Sequence, residues 1–175
     1  MSQILKTINI NLFQSGELGK AIKAVVEFEK ELKDGLYGLC ETLLDEGVLV
    51  AKMEIMEMPA VDTGELLDSI EHGVFDRKSG FGIIKATAYY AIFVEYGTGM
   101  IGAMNPHPEA GEAGWDYDVN GRGEKGWIYY GWDFKKHWTR GMPSRPFMYN
   151  TMMTLKDLAE QEGTRIIGTY IPGGG

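Results

Sequence analysis

Apolar residues in the first third of the chain recur at helical spacing. Leu18, Ala21, Ile22, Val25, Val26 and Leu32 form one series, and Leu36, Leu39, Cys40, Leu43, Leu44, Val50, Ala51 and Ile55 continue it. Glu and Lys crowd the positions between. The pattern predicts one long amphipathic helix, or two joined at Gly35/Gly38, stopping before Pro59. Its charged face reads most simply as a solvated one. Ahead of it, residues 3–12 alternate Ile and Leu with polar residues, which predicts a strand, and Ser15 is placed to cap the helix.

Beyond Pro59 the pattern changes. Asp62-Thr63-Gly64-Glu65 predicts a short helix over residues 63–70, with Asp62 and Glu65 spaced as a capping box. Two strands, residues 71–75 and 81–87, are expected around the turn Asp76-Arg77-Lys78-Ser79-Gly80. Residues 88–96 suit strand or helix on composition alone, and Gly97-Thr98-Gly99 stops them. Between residues 102 and 142 Gly, Pro and Trp are dense, and no helical period survives. Two aromatic runs there, residues 115–119 and 127–132, flank a glycine-rich turn and predict an inserted hairpin. A last helix over residues 146–162 follows, with Phe147, Met148, Thr151, Met152, Leu155 and Leu158 on its apolar face. Residues 164–171 predict a closing strand.

This order predicts an α+β fold: a long N-terminal amphipathic helix and a C-terminal helix packed on a small antiparallel sheet, with an aromatic, glycine-rich hairpin insertion. One domain over residues 1–171 is expected, with the insertion at about 100–143 and a flexible glycine tail at 172–175. The composition supports a folded core, since 44% of the 175 residues are hydrophobic.

Charge sharpens the picture. Up to Phe75 there are 6 Lys/Arg and 14 Asp/Glu, a net of −8; the remainder carries 11 of each. An acidic first half repels phosphate backbones, so tight nucleic-acid binding is not expected. Lys135, Lys136, Arg140 and Arg145 form a basic run without an acid, which has three readings: a weak nucleic-acid contact, a solvated loop, or a segment that docks the acidic helix of a neighbouring subunit. No signal peptide and no membrane-spanning run is expected. Cys40 is the sole cysteine, so neither an internal disulfide nor a cysteine-based zinc site is expected.

Motifs that could carry chemistry are weak. Gly121-Arg122-Gly123-Glu124-Lys125-Gly126 matches a dinucleotide fingerprint but precedes a strand-like run, so it reads as a hairpin loop. Asp116-Tyr117-Asp118-Val119-Asn120-Gly121 starts like a calcium loop, yet Trp127 stands where the bidentate Glu belongs. His72, His107 and His137 share no metal-ligand spacing. No cofactor is expected.

Three strings, in order, resemble a family of tailed-phage proteins: the tail-completion and head–tail joining proteins, often labelled minor tail components. The first is the run from Pro59 through Asp62, Thr63 and Gly64 to Ile70, close to P-x-D-T-G-x-L-x-x-S-I. The second runs from Tyr89 and Tyr90 through Phe93, Glu95 and Tyr96 to Gly97, similar to Y-A-x-x-V-E-Y-G-T. The third is Arg145-Pro146-Phe147, like R-P-F. The segment 102–142 is longer than the family's minimal form. The resemblance implies that residues 88–96 are helical. It also implies a virion structural protein of the neck or upper tail, assembled in the host cytoplasm as a homo-oligomeric ring, six-fold, beside connector and tail proteins, with DNA passing through unbound. It implies no enzyme. Two other classes stay open: a calcium- or glycan-binding module using Trp115, Trp127, Trp132 and Trp138, and a hydrolase using His107 or His72 with a carboxylate.

Overall fold

The computed structural model describes residues 16–58, 64–123, 125–131 and 133–170. The fold is α+β, with a long N-terminal helix, a C-terminal helix and small two-stranded antiparallel sheets. Two compact units share the chain. One comprises residues up to Glu46, His72–Ile83 and residues from Thr154 onward; the other comprises Gly47–Glu71 and Ile84–Met153. The expected strand at 3–12, Ser15, and the Asp62–Thr63 cap lie outside the described residues.

Helix α1 (Glu17–Glu57) is unbroken. Gly35 and Gly38 do not divide it, because the apolar series continues in phase across them and an isolated glycine costs only about 1 kcal/mol in a helix. In the first unit, the Tyr37 and Phe75 rings lie 5.8 Å apart, and Arg77 donates to Glu41 from Nε at 3.1 Å and from an Nη at 2.9 Å. The predicted turn at 76–80 is present. The Asp76 carboxylate accepts from the Ser79 hydroxyl at 2.6 Å and the Lys78 N–H at 3.0 Å. Those bonds hold its carboxyl below the usual carboxylate range.

In the second unit, Gly64 stands before α2 (Glu65–Asp68) with φ of 73°, a conformation that suits glycine. Strands β1 (Ile70–His72) and β2 (Ile84–Ala86) pair with each other and are shorter than predicted. Helix α3 (Ala91–Tyr96) follows, as the resemblance implied. Two short helices, α4 (Gly99–Met104) and α5 (Ala110–Ala113), correct the expectation that residues 102–142 hold none. Of the two aromatic runs, only the second forms a strand: β3 (Trp127–Tyr130) pairs antiparallel with β4 (Lys136–Thr139), Ile128 opposite Trp138 and Tyr130 opposite Lys136. Residues 115–119 are not its partner. Asp116 Oδ1 takes the N–H of Asp118, and such side-chain bonds to the main chain compete with a ladder. Gly121, Gly123 and Gly126 therefore precede β3, and the hairpin joins Tyr130 to Lys136. A short β5 (Gly141–Met142) bridges back to Thr98 and Gly99.

Helix α6 (Phe147–Tyr170) absorbs the strand predicted over residues 164–171, of which Ile171 lies outside the described residues. From Thr151 onward, Thr151, Leu155, Leu158, Ala159, Glu162, Gly163 and Ile166 are its buried or half-buried positions. That is a helical period carried past Glu162, and it overrides the β-propensity of the terminal Ile and Thr residues.

The core of this unit gathers Ala51 and Ile55 of α1, Leu66 of α2, Ile70 of β1, Ala88, Ala91 of α3 and Phe147 of α6. Phe147, 1% exposed, is its largest fully buried side chain.

Candidate functional site

Helix α3 carries one acid in an otherwise uncharged run, and that acid is buried. Glu95 is 7% exposed and His107 3%. Glu95 Oε2 accepts the N–H of Met148 at 2.9 Å, and Oε1 that of Tyr149 at 3.0 Å. These are among the first N–H groups of α6, which have no partner within the helix, so Glu95 caps α6 from 53 and 54 residues away. Oε1 also lies 3.0 Å from His107 Nε2.

The imidazole is tied at both nitrogens. Nδ1 lies 3.0 Å from the Glu109 N–H and accepts from it. Its proton therefore sits on Nε2 and points at Glu95, which fixes the tautomer. The His107 main-chain N–H donates to the Tyr117 hydroxyl at 3.1 Å. Aromatic rings enclose the pair. Tyr96 lies 4.3 Å from the His107 ring and stacks on Trp115 at 5.0 Å; Tyr149 meets the imidazole edge-on. Trp115 Nε1 donates to Gly97 O at 3.1 Å, and the Phe93 ring is tilted toward the same indole at 6.1 Å. Burial, and then the negative Glu95 and Glu109, push the Tyr96 hydroxyl above the ordinary tyrosine range.

The main chain closes around this cluster. The Arg145 N–H donates to Val94 O at 2.9 Å, and the Ser144 hydroxyl to Glu95 O at 2.6 Å. Gly97, φ 77°, passes so close to residues 142–144 that a β-carbon there would fall 2.5 Å from Ser144 N. A cavity of about 430 Å³ lies over the pair, lined by Ile92, Glu95, Tyr96, His107, Phe147 and Met152 among others.

Among the described residues, those singled out in the sequence fall in four places. Glu95, Tyr96, Gly97, Phe93, Arg145, Pro146 and Phe147 meet around α3 and the start of α6. Tyr90 packs beside the core, while Tyr89 stands 83% exposed. Lys135, Lys136 and Arg140 are exposed on and after the hairpin. Gly64 opens α2. Sequence reasoning left His107 without a partner, and the structure supplies Glu95. A lone acid within Ala91-Ile92-Phe93-Val94-Glu95-Tyr96 was the available signal, because a buried carboxylate demands a partner.

The other histidines are surface residues: His72 lies 3.0 Å from Asp45 and His137 2.9 Å from Asp133. No cluster of three or more metal-ligating side chains occurs among the described residues. In the calcium-like run, Asp118 Oδ1 accepts the Gly123 N–H at 2.6 Å and Asn120 Oδ1 the Arg122 N–H at 3.0 Å. Trp115 and Trp127 are half-buried, so among the described tryptophans only Trp138 is exposed as a glycan platform would require. Neither protein-family models, curated proteins nor solved structures yield a match to this chain. No helix among the described residues is long and apolar enough to cross a membrane.

Proposed function

We propose that the chain is a structural subunit of the neck or upper tail of a tailed bacteriophage. It completes or joins the tail as a member of a six-fold ring, assembled in the host cytoplasm, through which DNA passes without specific binding. The core of the second unit carries the reading. Leu66 and Ile70 of the first resembling string, Ala91 of the second and Phe147 of the third are buried in one cluster. Glu95 of the second string caps the helix that the third string opens. The three strings are thus engaged in holding a shape, and a shared shape is what a ring of identical subunits requires. The acidic first half favours free passage of DNA over adhesion.

A hydrolase is the second reading, favoured by the Glu95–His107 pair beneath the 430 Å³ cavity. A general base needs a ring nitrogen free to take a substrate proton. Here Nε2 faces Glu95 and Nδ1 accepts from Glu109. The pair is better suited to hold α3, the 107–109 turn and α6 together.

Infected cells in which this chain alone is removed test the proposal. The expected outcome is filled heads and free tails that do not join, or tails of uncontrolled length. Intact, infectious particles from such cells would end it.

A further inference from the structure

We propose that His107 is a proton-operated latch on the cavity of the second unit. Protonation at Nδ1 releases the Glu109 N–H, and the 107–109 turn lifts, while Glu95 keeps its hold on the ring and on α6. The latch is a property of the folded chain, in or out of a ring of subunits.

The segment that carries the histidine is poor in donors. Pro106 and Pro108 have no N–H, so residues 106–109 offer only the main-chain donors of His107 and Glu109. The first goes to the Tyr117 hydroxyl at 3.1 Å. The second goes to Nδ1 of the imidazole at 3.0 Å, so the turn is closed onto its own histidine. His107 O and Glu109 O accept from the N–H groups of Ala110 and Ala113, which ties the turn to α5. His107 and Glu109 both line the cavity.

A neutral imidazole has one acceptor nitrogen, and the imidazolium has none. Once Nδ1 gains a proton, two N–H groups face each other across that 3.0 Å, at a residue only 3% exposed. A buried donor without an acceptor is costly. Turning the ring over gives no relief, because a carbon then faces the Glu109 N–H. The ring itself stays: Nε2 lies 3.0 Å from Glu95 Oε1, and that hydrogen bond becomes one between opposite charges. The other titratable groups around the ring are Tyr96 of α3, Glu109 of the turn, Tyr117 and, on α6, Tyr149. No Lys or Arg lines the cavity, so no cation there stands against the charged ring. What gives way is the turn. Lifting it opens one wall of the cavity and leaves the Met148 and Tyr149 N–H groups on Glu95.

Nuclear magnetic resonance of the full chain carrying His72→Gln and His137→Gln provides the test. Both substitutions are at exposed sites, and they leave His107 as the sole imidazole. The ring nitrogens report the protonation of Nδ1 between about pH 8 and about pH 5. Amide exchange, corrected for its intrinsic dependence on pH, reports the turn. The Glu109 amide should lose about tenfold or more of its protection, with the same midpoint as Nδ1, while the Met148 and Tyr149 amides stay protected. His107→Gln in the same background should abolish the transition; if that variant does not fold, the agreement of the ring and amide midpoints decides alone. A ring that gains its proton while the Glu109 amide stays protected would overturn the proposal. So would a ring that stays neutral throughout, or a transition that persists in folded His107→Gln protein. Exchange rising in step at Met148 and Tyr149 would overturn it by making the event an unfolding. A Glu109 transition that follows the Glu95 carboxyl resonance instead of Nδ1 would overturn it by giving the switch to the acid.

Discussion

Glu95 accepts three hydrogen bonds inside the protein, and removing it leaves their donors buried without an acceptor. Glu95→Ala is therefore expected to cost about 3 kcal/mol, read as a shift in the urea unfolding midpoint. A cost below about 1 kcal/mol would mean that water replaces the carboxylate. Tyr96 gives a pH signature. Its hydroxyl is held above the ordinary tyrosine range, so the folded state keeps a proton that an unfolded chain releases near pH ~10. The associated stability is fully present below that pH and is lost as pH rises through the folded-state value. An ultraviolet titration should show one tyrosine ionising late, and Tyr96→Phe should remove that step and soften the alkaline loss of stability. The pairing behind both predictions was only half legible in the sequence. Glu95 stood out as an acid in an apolar run and His107 as a histidine between prolines. Nothing in residue spacing says that the chain reverses at Gly97 and brings them together.

At the scale of elements, periodicity was informative where it ran long and misleading where it was interrupted. Helix α1 followed from its apolar series, and the turn at 76–80 from its Asp, Ser and Gly. The closing strand did not, because Thr164, Ile166, Ile167 and Thr169 favour strands as single residues. What decides is the buried series from Thr151 to Ile166, which only a helix can put on one side. Helices α4 and α5 were hidden by the density of glycine around them. Glycine itself separates these cases experimentally. Gly163→Ala, inside α6 with nothing within 4 Å of the new β-carbon, should stabilise by about 0.5–1 kcal/mol. Gly97→Ala should instead cost more than about 2 kcal/mol, from its positive φ and the approach of residues 142–144. Thermal melts of the two variants should move in opposite directions, and a shared direction would place the α3–β5 approach elsewhere.

Across the whole molecule, charge and apolar surface are distributed unevenly. The acidic residues concentrate in the first half, four exposed aromatic residues, Tyr129, Tyr130, Phe134 and Trp138, lie on the hairpin, and the three strings of the resemblance meet in one core. The α+β class was legible because its two long helices and its turn-bounded strands have distinct periods; how the second string folds against the third was not, because that depends on a cap reaching across more than fifty residues. A subunit that fits a ring accounts for these features together: a fixed core, a capped helix and two unlike exposed faces. Immunogold electron microscopy of purified particles, with an antibody to this chain, tests the proposed place in the neck most directly. Gold is expected at the head–tail junction. Unlabelled particles with an accessible neck would contradict it.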